Sequence, residues 1–409
     1  MTKRILIISQ NFYPEIGSAG NRIKNIFKQL EMKFDEVSVL TTNPTYPNRK
    51  IYDNEQFWDD NHLNHSKEKI TRITVSNQKY SFSIINRLMY YLEVALKMML
   101  YILRDKNTYD IVFVSSPPIF IGVVGLVAKW RYKAKLFLDV RDLWPESLKG
   151  VGVFNNPVII YTFGLLEKFL YKRSNEIIVN SKGFIRNIKI KAKISSHKIS
   201  HIPNGAVSSE LPEGYAKEDE FKVIYAGNIG LAQDEKVLLK MAEKLKSHNI
   251  RLTIIGYGFN KIQLANKVEE LNLDNVMFIN PKTRKYCLDL ISEHDVGIVT
   301  LNNKEVFGTV LPGKVIDYMT CGVPIVASVS GFSKEVITKS KVGYVSENHN
   351  SNEMLDKILF LRDHPEEKKS LSENGVDYVK KHYLWENNIN TLVGLIESYG
   401  HNKNKRRNH

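Results

Sequence analysis

Short apolar runs alternate with longer amphipathic stretches along the whole chain. In the first half the runs are ILIIS (5–9), EVSVLTT (36–42), DIVFVSS (110–116), KLFLDV (135–140), EIIVNS (176–181) and KISHIPN (198–204). Near-continuous apolarity over so few residues suits strands of a parallel sheet buried on both faces, with the amphipathic stretches as helical crossovers. The pattern then restarts with FKVIYAG (221–227), RLTIIGYG (251–258), NVMFIN (275–280), VGIVTL (296–301) and PIVASV (324–329). Two doubly wound α/β domains are therefore predicted, over residues 1–205 and 206–384, with a C-terminal helix, 385–409, packing back on the first. The stretch GAVSSELPEGYAKEDE (205–220) is polar, carries Gly and Pro, has no apolar period and reads as the joint. Ligands of open α/β sheets sit at the carboxyl ends of the strands, so two such domains facing across a cleft would take their substrates there.

One segment departs from a plain crossover. SIINRLMYYLEVALKMMLYILR (83–104) is rich in Leu, Met, Ile and Tyr, yet Arg87, Glu93 and Lys97 interrupt it and argue against a membrane span. It reads either as a helix lying in a membrane plane or as one buried inside its domain. PIFIGVVGLVAKWRYKAK (118–135) and VIIYTFGLLEKFLYKRS (158–174) repeat the theme of an apolar stretch with a basic end.

Charge sharpens this picture. The net charge is +14, and residues 1–200 carry 31 Lys and Arg against 17 Asp and Glu, whereas residues 201–409 carry 27 of each. A one-sided surplus suits nucleic acid or an anionic membrane. Zinc spacing, RNA-binding aromatic-glycine motifs and a recognition helix are absent, which favours the membrane and excludes nucleic acid as partner. Two cysteines, Cys287 and Cys321, offer no disulfide framework, and MTKRILIISQNF reads as a first strand rather than a signal peptide. A cytoplasmic protein, held peripherally at the inner face of the plasma membrane, is expected.

Several loops could carry chemistry. After the first strand, Gly17 and Gly20 bracket a turn into a helix that could present amides to an anion, with Arg22 adding charge, or could be an ordinary strand-to-helix turn. LFLDVRDLWPES (136–147) sets Asp139, Arg141, Asp142 and Glu146 at and beyond a strand end, as a cleft wall or as local salt bridging. Gly227 and Gly230 in YAGNIGLAQ, and Gly256 and Gly258 in IIGYGFN, let backbone approach a ligand closely. EVFGTVLPGKVIDYM (305–319) nearly spells a phosphate loop, but Val315 stands where a magnesium-binding hydroxyl belongs. What remains is a helix start, Pro312, Gly313 and Lys314, able to hold a diphosphate by amides and one ammonium, with Asp317 one turn on as acceptor for sugar hydroxyls. His62 and His65 lack a third ligand nearby and read as surface histidines, so no metal site is predicted.

Together, HIPNGAV (201–207), YAGNIG, IIGYG, NVMFINP and LPGKVIDYMTCGVPIVAS (311–328) resemble, in order and spacing, the family-4 retaining glycosyltransferases of the two-domain GT-B fold. VRDLWPES with YAGNIGLAQ and LPGK is similar to the subgroup building bacterial capsule, O-antigen and colanic-acid repeat units, L-fucosamine transferases among them. The resemblance implies a retaining transferase moving a sugar, an N-acetylated aminosugar, from a UDP-sugar to a polyprenyl-diphosphate-linked saccharide, without metal or cofactor. A non-hydrolysing nucleotide-sugar epimerase of the same fold is the alternative. Asp317 matches the second glutamate of the family's E-x7-E motif, while Thr309 stands at the first, with Glu305 nearby. Asn228 replaces the usual basic residue, which leaves Lys314 for the diphosphate, and Arg141 matches the family's histidine near the donor sugar. On this basis Arg141, Asp142 and Lys314 are the catalytic candidates. Gly17, Asn228, Gly230, Gly256, Gly258, Pro281, Lys282, Pro312, Gly313, Lys314 and Asp317 would bind the nucleotide sugar, and Gly20, Arg22 and Glu146 the acceptor.

Overall fold

A computed structural model describes residues 3–76, 84–152, 156–212, 220–346 and 350–404. The chain divides into two units, Met1–Pro203 with Trp385–His409, and Asn204–Leu384. The first holds seven strands, β1 (Arg4–Ile8), β2 (Glu36–Thr42), β3 (Ile70–Ile73), β4 (Ile111–Ser116), β5 (Lys135–Val140), β6 (Glu176–Val179) and β7 (Ile199–His201). They form one sheet in the order β3-β2-β1-β4-β5-β6-β7, every pair parallel. The second unit holds β8 (Lys222–Ala226), β9 (Arg251–Ile255), β10 (Val276–Ile279), β11 (Val296–Thr300), β12 (Ile325–Ser328) and β13 (Gly343–Ser346), ordered β10-β9-β8-β11-β12-β13 and again all parallel. Strand order reverses between β1 and β4 and between β8 and β11, which opens a crevice above the carboxyl ends of those strands.

Two strands escape the hydrophobic pattern, β3 and β13. Both are edge strands. An edge strand needs burial from one neighbour only, and ITRI is half-buried at every position, so no apolar run announces it. Central strands obey the pattern closely: β4 and β11 are buried almost throughout. Truncating a side chain such as Phe113 or Ile298 would cost about 2–5 kcal/mol through lost burial and the cavity left behind.

In the first unit the helices Ile84–Arg104, Ile119–Tyr132, Pro157–Arg173 and Gly183–Ala192 pack side by side in that order, while Ser18–Glu31 packs against the C-terminal helix Trp385–Asn404. Trp385, Ile389, Leu392 and Ile396 of that last helix are buried, and Tyr399 donates to Glu176 Oε1 at 2.7 Å. These contacts anchor the final helix to the first sheet. Of the joint read as polar and aperiodic, residues 213–219 lie outside the described residues, as do 405–409 of the basic tail and residue 83. The part before it is tied down: Ser208–Glu210 forms a short turn, and Arg284 grips the Glu210 carboxylate with Nε at 2.6 Å and Nη2 at 3.0 Å.

The helix Ile84–Arg104 is buried along one side and open along another. Tyr90, Val94, Met98 and Ile102, four residues apart, face the domain interior and are buried. Met89, Leu96, Leu100 and Leu103 are about half exposed on another side, and Glu93 pairs with Lys97 at 2.8 Å. Pro157–Arg173 likewise exposes Val158, Tyr161, Leu165 and Phe169, and Trp130 of the helix packed between them is also exposed. Among the described residues no helix is long and apolar enough to cross a membrane.

Candidate functional site

The second unit gathers most of the candidate residues around its strand-order reversal. β8 ends at Ala226 and turns through Gly227, whose N–H donates to Ile255 O at 2.9 Å. Gly256 and Gly258, with φ of 157° and 137°, follow β9 and lie against that turn. A Cβ on Gly256 would sit 1.9 Å from Gly227 O, and one on Gly258 would sit 2.3 Å from Asn228 Oδ1. These two glycines thus let two loops stack backbone on backbone, and the exposed Asn228 and half-buried Gly230 lie on the rim they form. The loop after β11 closes onto the same turn, as Asn302 donates its backbone N–H to Ala232 O at 2.9 Å and its Nδ2 to Leu231 O at 2.6 Å.

From that loop rises the helix Gly313–Thr320, with Pro312 at its N-cap and no side chain capping its first amides. Val315 N–H is bonded to Pro312 O at 3.1 Å, which leaves the Gly313 and Lys314 amides and the positive helix end as the groups that could receive an anion. Gly308, where a phosphate loop would place its first glycine, instead faces helix Gly331–Lys339: a Cβ on Gly331 would lie 2.1 Å from Gly308 O. The phosphate-loop likeness is therefore confined to the helix start.

Lys314 does not reach freely into solvent. Its side chain is buried, with Nζ 3.0 Å from Gln233 Oε1 and 3.6 Å from the centre of the Tyr225 ring. Burial pushes its ammonium well below the usual lysine range, and Asp317 counteracts only in part. Asp317 in turn is gripped by Arg284, Nη1 to Oδ1 at 3.0 Å, and burial raises its carboxyl while Arg284 lowers it. Arg284, which bridges Asp317 and Glu210, is a residue that no sequence motif singles out. Its signal is faint: one arginine among several basic residues in PKTRKY, four residues beyond Asn280. Pro281 and Lys282 lie one strand further out, after β10, with Lys282 Nζ 5.5 Å above the Tyr286 ring. Glu305 is exposed on the turn Glu305–Thr309, and the Thr309 hydroxyl donates to Val306 O at 2.6 Å.

Gly17, Gly20, Arg22, Arg141, Asp142 and Glu146 belong to the first unit. Two of them do not take the places that the sequence suggests. Gly20 lies inside the helix Ser18–Glu31, where a Cβ would meet Glu15 O at 2.3 Å, so it serves close packing rather than the turn. Arg22 is fully buried, with Nη2 2.6 Å from Asp139 Oδ1 and the Trp385 ring 5.8 Å away. It faces no anion from solvent, because its charge is spent inside the protein on Asp139. Asp139, read as part of a cleft wall, is the buried partner. Gly17 does form the N-cap, at φ 104°.

Arg141 extends the buried pair outward. Its Nε donates to Ser115 Oγ at 2.8 Å, Ser115 donates to Asp139 Oδ2 at 3.0 Å, and Arg141 Nη2 donates to Pro117 O at 2.9 Å. Asp142, half-buried, is pushed up to about 6 by burial while accepting from Leu143 N at 2.9 Å. Glu146 is half exposed and pairs with Lys191 at 2.7 Å. His201, at the end of β7, is driven down to about 4 by burial and by Lys182 and Arg22. Among the described residues no group of three or more His, Cys, Asp or Glu side chains is placed to hold a metal ion.

Two Rossmann-like units with these loops define a GT-B glycosyltransferase architecture. Residues 208–377 match the family model described as Glycosyl transferases group 1. The second unit is thus a group 1 glycosyl transferase domain, and the chain is a glycosyltransferase. An uncharacterized glycosyltransferase of Methanocaldococcus jannaschii is 20% identical over 97% of this chain and 99% of its own. The putative colanic acid biosynthesis glycosyl transferase WcaI of Escherichia coli K12 is 20% identical over 81% of this chain and 84% of its own. Among solved structures, Anabaena HepE in complex with UDP and glucose superposes with a TM-score of 0.68 at 15% identity, covering 97% of this chain and 100% of that one.

Proposed function

We propose that this protein is a retaining transferase moving a sugar, an N-acetylated aminosugar, from a UDP-sugar to a polyprenyl-diphosphate-linked saccharide during bacterial surface-polysaccharide assembly. The observation that carries the donor half is the uncapped helix start at Pro312–Gly313 with the Lys314 ammonium beside it and, among the described residues, no carboxylate bonded to that ammonium. A diphosphate placed there finds amide donors and one cation, the combination that stabilises charge developing on a nucleoside diphosphate leaving group. Asp317, one turn on, keeps Oδ2 for ribose hydroxyls while Arg284 holds Oδ1. The UDP held in the HepE complex supports UDP as the nucleotide, and the colanic acid biosynthesis for which WcaI is named supports a surface polysaccharide.

In this reading the acceptor oxygen attacks the anomeric carbon on the face from which the diphosphate departs. The carbon–oxygen bond to UDP breaks as the new glycosidic bond forms, and the departing phosphate oxygen takes the acceptor's proton. Metal is dispensable in this scheme, since amides and Lys314 neutralise the leaving charge. The half-exposed leucines and aromatic residues on helices Ile84–Arg104 and Pro157–Arg173, in a unit whose first 200 residues carry the entire cationic surplus, support docking on an anionic lipid surface at the cytoplasmic face of the membrane. Such a surface is of use to a transferase with a lipid-linked acceptor and not to an epimerase of soluble nucleotide sugars.

Calorimetric titration with UDP, GDP and ADP, without magnesium, on the parent and on Lys314→Ala tests the donor assignment. Binding of UDP alone, lost in the variant, is expected. Binding unaffected by Lys314→Ala would overturn it.

A further inference from the structure

The groups in direct contact with Lys314 Nζ, among the described residues, are neutral. Nζ donates to Gln233 Oε1 at 3.0 Å and lies over the Tyr225 ring at 3.6 Å. The Tyr225 hydroxyl stands 3.1 Å from the same Gln233 oxygen and 2.9 Å from Asn228 O, so ring and amide are fixed to each other. Gln233 sits in a turn closed by its N–H to Gly230 O at 3.0 Å, and the loop beneath is pinned twice by Asn302. The carboxylate of Asp317, on the same helix, is engaged by Arg284, which is itself engaged by Glu210. Asp317 thus acts on Lys314 as a nearby charge that Arg284 already engages.

We infer that Gln233 is a positioning residue that holds Lys314 on neutral direct contacts, with Asp317 as a charge engaged elsewhere, so that the bound diphosphate itself becomes the contacting counter-ion of Lys314 and its arrival is coupled to proton uptake. This rests on the donor reading above. The chemistry follows from electroneutrality: a buried ammonium with only dipolar partners is poorly stabilised, and an anion arriving within contact distance restores its proton. Depression of the free lysine by burial agrees with this. A carboxylate at position 233 would have the opposite effect, pairing Lys314 before the ligand comes and repelling the diphosphate when it does.

The test is UDP titration by calorimetry between pH 6 and 9.5, in buffers of differing ionisation enthalpy, on the parent, Gln233→Glu and Gln233→Met, with thermal melts to verify folding. In the parent, UDP affinity is expected to fall as pH rises, with net proton uptake on binding. Gln233→Glu, nearly isosteric, is expected to bind UDP about tenfold or more weakly at neutral pH, with proton uptake abolished and the pH slope flattened. Gln233→Met, neutral like the parent residue, is expected to weaken binding less than Gln233→Glu while keeping proton uptake. Gln233→Glu binding as tightly as the parent, with the same proton uptake, would overturn the inference while leaving the donor site intact. Absence of UDP binding in the folded parent would overturn both.

Discussion

Arg284 Nη1 donates to Asp317 Oδ1 at 3.0 Å while Nε and Nη2 of the same guanidinium hold both oxygens of Glu210. One cation therefore serves two carboxylates from distant parts of the sequence, and half of Asp317 is spoken for before any ligand arrives. Arg284→Met leaves both carboxylates uncompensated in a partly buried site, so unit 2 is expected to lose about 2 kcal/mol of stability, read by urea unfolding. Asp317→Asn keeps the shape and a hydrogen-bonding group. It is expected to raise the KM for the nucleotide sugar several-fold with a smaller change in kcat, as measured by product formation.

The Arg22–Asp139 pair is wholly buried, with 0% side-chain exposure on both sides. Breaking it by Arg22→Met strands a carboxylate in the core and is expected to cost about 3–5 kcal/mol. Replacing both members, Arg22→Met with Asp139→Leu, is expected to recover most of that loss. Thermal melts of the two variants decide this. A double variant no more stable than the single one would mean that Ser115 and Arg141 depend on the carboxylate itself.

His201 supplies a pH signature. Its folded value near 4 lies below the unfolded 6.5, chiefly because burial disfavours the cation. Between those values the unfolded chain binds the extra proton, so stability contributed by neutral His201 is present above pH 6.5 and lost as pH falls toward 4. At pH 5 the loss is about 2 kcal/mol, one pKa unit being ~1.4 kcal/mol. His201→Gln is expected to flatten the fall in melting temperature between pH 6.5 and 4.5 relative to the parent.

The membrane surface is testable with vesicles. The parent is expected to sediment with vesicles containing phosphatidylglycerol and much less with phosphatidylcholine alone. Leu100→Gln combined with Leu165→Gln removes two half-exposed apolar side chains from the two stripes, which is expected to reduce vesicle binding at least several-fold without lowering the melting temperature. Unchanged sedimentation would assign those stripes to another partner.

Much of this protein is written in local patterns. Every central strand is legible because a strand buried on both faces must be apolar over consecutive residues, and the helix start at Pro312–Gly313 is legible because proline and glycine ahead of an amphipathic run open a helix. The edge strands β3 and β13 are not, since one-sided burial imposes no such run. Only the tertiary structure decided the fates of the charged residues. Arg22 and Arg141 look alike in sequence, both basic and in segments that follow a strand, yet Arg22 is sealed against Asp139, which lies 117 residues away, while Arg141 donates to neutral oxygens. Arg284 and Gln233 gained their roles in the same way. A charge or an amide is defined by whatever folding brings beside it, and no spacing along the chain encodes a partner contributed by a different loop.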